Sequence, residues 1–89
     1  MKVKILNEDS NNISVEIEGE GHTLCNLLRN ELWNLGVDSC GYNLKHPIIS
    51  SPILNVEVSK GKPLKFLFSS VDEIKKKIKS LRAEFKKLK

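Results

Sequence analysis

The sequence predicts an α+β fold, a small four-stranded sheet with two helices in the order ββαββα. Two observations predict it. In several short segments apolar residues alternate with polar ones, and this period of two residues is typical of strands that have one solvated face. In two longer segments apolar residues recur every three or four positions, as in amphipathic helices. With 89 residues, the chain has room for a single domain, residues 1–89, which buries only about 60% of its unfolded surface.

The first two predicted strands form a hairpin. Val3 and Ile5 alternate with Lys2 and Lys4 in the first strand, and Ile13–Glu18 alternates apolar and polar residues in the second. Residues 7–12, NEDSNN, have the composition of a turn. Gly19 ends the second strand.

The first helix is predicted from Thr23, a suitable N-cap, to Leu35, before Gly36. Its leucines fall within an arc of roughly 140° on the helix. They are Leu24, Leu27, Leu28, Leu32 and Leu35. Trp33 lies on the opposite side, and two interpretations remain open for it: a surface side chain lying over neighbouring stems, or an anchor for a partner protein.

The third and fourth strands follow. Residues 37–42 form the third predicted strand, and an irregular stretch leads through His46 and Pro47. Leu54, Val56 and Val58 alternate with polar residues and predict the fourth strand.

The last third of the chain contains a continuous apolar stripe with heptad spacing. This heptad stripe consists of Leu64, Leu67, Val71, Ile74, Ile78, Leu81, Phe85 and Leu88. It predicts a helix that begins at Pro63, where a missing N–H costs nothing, and runs to Leu88. A shorter helix that begins at Ser70 is the alternative, because residues 70–73 fit a capping box.

The length of this helix indicates a partner. A helix over residues 63–88 measures roughly 39 Å, whereas a compact domain of this size has a radius of gyration of about 12 Å. The C-terminal apolar residues therefore overhang the sheet, and we expect another chain to cover them. The alternative is that the whole heptad stripe belongs to the core of this domain.

Enzyme and metal chemistry is not expected. His22 and Cys25 have the spacing of a ligand pair, but Cys40 and His46 do not form the second compact element that is typical of structural zinc sites. Cys25 is expected to pack as a small apolar residue. Because we find neither a nucleophile–base set nor a phosphate-binding glycine loop, we predict no catalytic residues, no metal and no cofactor.

Charge is distributed unevenly along the chain. The net charge is +4, but residues 60–89 contain eleven Lys or Arg and only three Asp or Glu. This segment is either a solvated helix face or a surface for an acidic partner. A nucleic-acid-binding module and a membrane-surface helix are further alternatives, and so is a homodimeric adaptor. No apolar run reaches the roughly 20 residues of a membrane span, and we expect a cytoplasmic protein.

Three landmarks resemble the alpha-like RNA polymerase subunits. Residues 21–29, GHTLCNLLR, resemble the motif that opens the first helix in that family, although the family usually has glycine where this chain has Cys25. Cys40–Tyr42, followed by His46 and Pro47, resembles a second family motif, and Pro63 with its long helix a third. The motif residues are His22, Thr23, Leu24, Asn26, Leu28, Arg29, Gly41, Tyr42, His46 and Pro47. The length resembles that of the small members of this family.

The resemblance implies a non-catalytic assembly subunit of DNA-directed RNA polymerase, with the family's dimerisation fold. It implies a heterodimer with the larger alpha-like subunit (D in archaeal nomenclature) as the platform for the large catalytic subunits, with DNA contacted only through the complex. Asn26 and Arg29 would fix local geometry or contact a large subunit, unless Arg29 is simply a solvated charge. The predicted partner interface comprises Leu24, Leu28, Trp33, Leu67, Val71, Ile74, Ile78, Leu81, Phe85 and Leu88.

Overall fold

The computed structural model describes residues 2–19, 21–44 and 52–88. Its elements follow the predicted order ββαββα, which confirms the α+β fold class. They are β1 (Lys2–Glu8), β2 (Asn12–Glu18), α1 (His22–Leu35), β3 (Ser39–Leu44), β4 (Pro52–Glu57) and α2 (Pro63–Lys87). The motif residues His46 and Pro47 lie outside the described residues.

The four strands form one antiparallel sheet in the order β1-β2-β4-β3. The hairpin between β1 and β2 turns at Asp9, whose carboxylate accepts hydrogen bonds from the backbone N–H groups of Asn11 at 2.9 Å and Asn12 at 2.8 Å. These bonds, with Asn11 contributing most, lower the pKa of Asp9. The predicted turn is therefore fixed by a side chain that substitutes for a backbone acceptor.

The core lies between one face of the sheet and the two helices. Alternate residues of the central strands β2 and β4 point to this face, because successive side chains of a strand point to opposite sides. The buried apolar residues are Ile13, Val15, Ile17, Cys25, Leu28, Leu32, Val37, Leu54, Val56 and Val58. Cys25 is fully buried, which confirms that it packs as a small apolar residue.

Strand β1 extends beyond the cover that the helices provide. Val3 pairs with Ile17 and Ile5 with Val15, so both side chains share the face that bears the core. They are nevertheless 60% and 50% exposed. Helix α1 lies against β3 and β4, and α2 reaches β2, which leaves the outer strand with an open apolar face.

Helix α1 begins one residue earlier than the sequence predicts. Its first residue is His22, its N-cap is Gly21, and no side chain caps it. Thr23 lies within the first turn, so its prediction as the N-cap is wrong. The predicted end is confirmed: Gly36 adopts φ 91°, and its N–H donates to the carbonyls of the last turn.

The third and fourth strands are shifted from their predicted positions. The third strand is predicted over residues 37–42, but β3 begins at Ser39, because Val37 is held at the end of α1, where its N–H donates to the Leu32 carbonyl at 3.3 Å. Val58, predicted in the fourth strand, lies just beyond β4. It is still buried, and its N–H donates to the Asn11 carbonyl at 2.8 Å.

Helix α2 is the long helix that begins at Pro63, and the alternative start at Ser70 is wrong. Ser70 is fully buried inside the helix, and its hydroxyl donates to the Leu67 carbonyl at 2.7 Å instead of capping a helix end. The 25 residues of α2 span about 37 Å. The radius of gyration of 14.5 Å exceeds the compact expectation of about 12 Å, because the end of this helix projects from the domain.

Candidate protein–protein interface

The heptad stripe divides into a covered part and an exposed part. Leu64, Leu67 and Ile74 are half-buried against the core. Val71 is 42% exposed, and the exposure of the residues beyond Ile74 lies between 56% and 80%. Those residues are Ile78, Leu81, Phe85 and Leu88. The rest of this chain, mainly α1, therefore covers only the first half of the stripe.

An open apolar groove of about 380 Å³ lies between the first half of α2 and strand β1. Leu28 and Leu54 are buried residues that line it, and Phe68, 66% exposed, stands beside it. We call it the β1 groove. Its other lining residues are Val3, Ile5, Val15, Ile17, Leu64, Leu67 and Val71.

A second apolar depression, of about 150 Å³, lies between α1 and the middle of α2. We call it the α1–α2 cleft. It is lined by Leu27, Glu31, Ile74, Lys77, Ile78 and Leu81. Together with the β1 groove and the free end of α2, it makes an extended exposed apolar surface, and such surfaces mark sites of interaction with other proteins.

A carboxylate is buried at the base of the α1–α2 cleft. Only 9% of the Glu31 side chain is exposed, and the Lys77 amine on α2 donates to its Oε1. A buried carboxylate requires a partner, because removing its charge from water is costly. Glu31 and Lys77 thus join the two helices beside the exposed part of the heptad stripe.

Lys77→Ala is expected to lower the free energy of unfolding by about 1–2 kcal/mol, because the substitution leaves the Glu31 carboxylate buried without its partner, while the exposed amine limits the loss. Lys76→Ala is the matched control. Its partner Glu73 is 40% exposed, so the loss should stay below about 0.5 kcal/mol. Urea unfolding of both variants measures the difference, and equal losses would contradict a special role for the Glu31–Lys77 pair.

Several residues of this surface could not be identified from the sequence. Val3 and Ile5 alternate with polar residues as the core residues of a strand do. This alternation does not show that β1 extends past the helices. Leu27 shares the arc of the buried leucines of α1, yet it is 45% exposed at the edge of that arc. Phe68 lies outside the heptad stripe. A glutamate within a leucine-rich segment was the signal that could have indicated Glu31.

The motif residues of α1 and β3 form a polar cluster. The Nδ1 atom of His22 lies 2.7 Å from the Tyr42 hydroxyl. The guanidinium of Arg29 lies 5.7 Å from the centre of the Tyr42 ring, within range of a cation–π contact, and donates to the Asn26 side chain at 3.0 Å. The contacts of His22 and Arg29 with Tyr42 join the first helix to the sheet.

The cysteine of the second motif contacts the same part of α1. The Cys40 thiol donates to the Arg29 carbonyl at 3.6 Å, and burial raises the pKa of this thiol. Gly41 is half-buried, and a Cβ built on it would meet nothing within 4 Å. The structure gives no steric reason for a glycine there.

Three other predicted site residues lie outside the polar cluster. Leu24 is half-buried and packs against the core. Thr23 is exposed in the first turn of α1. Trp33 is 48% exposed, outside the β1 groove and the α1–α2 cleft, so both interpretations of Trp33 remain open.

Two further findings concern chemistry and membranes. Within residues 2–19, 21–44 and 52–88, three or more His, Cys, Asp or Glu side chains nowhere come together in a group that could hold a metal ion. Neither of the described helices is long and apolar enough to cross a membrane.

Comparison with known proteins identifies the family and relatives of this chain. Residues 12–84 match the profile of the family described as RNA polymerase Rpb3/Rpb11 dimerisation domain. The chain is 40% identical over 65 residues to DNA-directed RNA polymerase subunit Rpo11 of Methanosarcina acetivorans, a match that covers 72% of this chain and 71% of that protein. It is 36% identical over 85 residues to subunit Rpo11 of Methanocella arvoryzae, covering 94% and 85%.

The fold is also similar to a solved structure. The crystal structure of DNA-directed RNA polymerase subunit L from Thermoplasma acidophilum matches with a TM-score of 0.86 and 30% sequence identity. The match covers 97% of this chain and 86% of that one. The similarity therefore includes both helices and the sheet.

Proposed function

This chain belongs to the RNA polymerase Rpb3/Rpb11 dimerisation domain family, and on that basis we propose that it is a non-catalytic assembly subunit of an archaeal DNA-directed RNA polymerase, equivalent to subunit L. It pairs in the cytoplasm with one copy of the larger alpha-like subunit, the chain that archaeal nomenclature calls D. The pair is the platform on which the large catalytic subunits assemble.

The observation that supports this proposal most directly is the unpartnered apolar surface. The β1 groove, the α1–α2 cleft and the exposed half of the heptad stripe lie on the same side of the molecule. Large apolar side chains exposed together in this way are stabilised when another protein removes them from water, by about 25 cal/mol for each Å² buried. A partner that packs helices against α2 would cover all three regions.

The proposed interface contains the predicted stripe residues together with the residues of the β1 groove and the α1–α2 cleft that lie beside them. Phe85 and Leu88 at the end of α2 would reach furthest into the partner, while Leu28 would form the floor of the β1 groove. Trp33 would anchor a separate contact. The polar cluster of His22, Asn26, Arg29 and Tyr42 would hold the start of α1 in place and would be available to a large subunit.

Co-expression of this chain with the larger alpha-like subunit tests the proposal. We expect the two chains to co-purify and to elute from size-exclusion chromatography as one complex containing one copy of each. Catalytic activity should be absent from this complex and should require the large catalytic subunits. If the two chains elute separately at micromolar concentration, the proposed pairing is wrong.

A further inference from the structure

The exposed half of the heptad stripe is bordered by charged side chains on both edges. The heptad spacing places Lys75 and Arg82, seven residues apart, along one edge. It places Lys77 and Glu84, also seven apart, along the other. Phe68, seven residues before Lys75, stands beside the β1 groove, so the Lys75 edge continues toward β1 and the Lys77 edge faces α1.

The two edges differ in how their charges are compensated. Along the α1-facing edge both charges have partners within this chain: Lys77 is paired with Glu31, and Glu84 lies 3.6 Å from Lys87. Along the other edge Lys75 and Arg82 are exposed, and neither belongs to any ion pair found among residues 2–19, 21–44 and 52–88. We call Lys75 and Arg82 the basic flank.

Along the two edges of the stripe of a second copy, the described residues include no carboxylate without an ion-pair partner that could face the basic flank. If two copies packed their stripes with α2 antiparallel, each basic flank would face the basic flank of the other copy. If the helices ran parallel, the basic flank would face the α1-facing edge, whose carboxylates Glu31 and Glu84 already have partners. Like charges facing each other across an apolar contact oppose association.

We propose that the basic flank selects the partner. The surface that docks on α2 bears carboxylate side chains beside its apolar centre, opposite Lys75 and Arg82, and the flank disfavours pairing of two copies of this chain. This inference rests on the proposed function and adds to it the chemistry of the partner's surface and a physical reason for pairing with a different chain.

The surroundings of the flank favour an acidic protein over a nucleic acid. Lys75 and Arg82 border Val71, Ile78 and Phe85, which are 42%, 59% and 60% exposed. A phosphate backbone would meet the two cations but would leave these side chains in water. A protein surface with an apolar centre and an acidic border would pair with the two cations and would also cover the apolar side chains.

The test is the double charge reversal Lys75→Glu/Arg82→Glu in the full-length chain. Lys79→Glu/Lys86→Glu is the matched control: these residues are also exposed and seven apart, and the change in net charge is the same, but the helical spacing places them further from the stripe. Binding of each variant to the larger alpha-like subunit is measured at low and high salt. We expect the flank variant to bind at least about tenfold more weakly at low salt, chiefly through slower association, and the control to stay within about threefold of the wild type.

Salt provides a second measurement. Binding of the wild type should weaken as NaCl rises from about 50 to about 500 mM, because the ions screen the facing charges. The flank variant should lose this dependence or reverse it. Binding by the flank variant that matches the wild type at both salt concentrations would overturn the inference and leave the proposed pairing intact. Failure of the wild type to bind the larger alpha-like subunit would instead refute the proposed function.

Self-association tests the second claim of the proposal, that the basic flank disfavours pairing of two copies of this chain. An equimolar mixture of the wild type and the flank variant places the two introduced carboxylates opposite a basic flank, so light scattering should detect dimers at a concentration where the wild type alone is monomeric. A mixture no more dimeric than the wild type would show that the flank does not oppose self-pairing.

Salt-sensitive binding of an RNA or DNA duplex that only the flank variant loses, with unchanged binding to the larger alpha-like subunit, would assign the flank to nucleic acid and overturn the inference.

Discussion

Phe85→Asp is expected to abolish co-purification with the larger alpha-like subunit. Phe85 is 60% exposed on the overhanging part of α2, where a partner would bury it. An aspartate there would lose the apolar contact and bring an unpaired carboxylate into the interface, at a combined cost of several kcal/mol, or about a thousandfold in affinity. Ile78→Asp, nearer the domain on the same stripe, should have the same effect. Pull-down through a tag on the larger alpha-like subunit, followed by size-exclusion chromatography, measures the loss.

Ala83→Asp is the matched control for this result. Ala83 is exposed on α2 two residues before Phe85, but it lies away from the stripe, so the same added charge should leave pairing intact. Urea unfolding of Phe85→Asp alone should give nearly the wild-type free energy, because an exposed side chain contributes little to the fold of the isolated chain. Normal pairing by both the Phe85 and the Ile78 variants would rule out the heptad stripe as the interface.

Leu32→Ala is expected to have the largest effect on stability. Leu32 is fully buried between α1 and the sheet, and removing its side chain leaves a cavity that costs about 2–5 kcal/mol. Small domains have total stabilities of only about 5 kcal/mol or somewhat more, so the variant should lose a large part of its stability and unfold at a much lower urea concentration. Circular dichroism and the fluorescence of Trp33 during urea unfolding measure the shift.

Leu81→Ala makes the same chemical change on the proposed interface. Leu81 is 56% exposed, so the stability of the isolated chain should fall by less than about 1 kcal/mol. Binding to the larger alpha-like subunit should weaken instead, because the truncated side chain would be covered only in the complex. If the Leu32 and Leu81 variants lose equal stability, the division of apolar residues between core and interface is wrong.

This division links assembly to folding. The chain buries part of its apolar surface in its own small core and leaves the rest exposed. If a partner covers the exposed part, as proposed, its binding also stabilises the folded chain. Pairing and folding are then thermodynamically linked. A domain of this size gains more from that linkage than a large one, because its own core is limited.

Periodicity in the sequence is sufficient to predict the elements and their order. The alternation in Ile13–Glu18 predicts a strand with one buried face, and the heptad stripe predicts a long helix from Pro63, since these periods follow directly from backbone geometry. The predicted element ends are less accurate. Val37 and Thr23 are misplaced by one or two residues, because hydrogen bonds at the end of α1 and the uncapped start at Gly21 depend on the local path of the chain.

The exposure of the end of α2 also follows from the sequence, because a helix that long cannot be covered by a sheet of short strands. Only the tertiary structure decided which other residues join that surface. Val3 and Ile5 have the pattern of core residues, but they remain exposed because the two helices are placed over β2, β4 and β3. Glu31 is a charged residue whose helical position falls within the arc of the α1 leucines, and the packing of α1 on α2 buries it against Lys77. Periodicity determines which face of an element a residue occupies, whereas the position of neighbouring elements determines whether that face is covered.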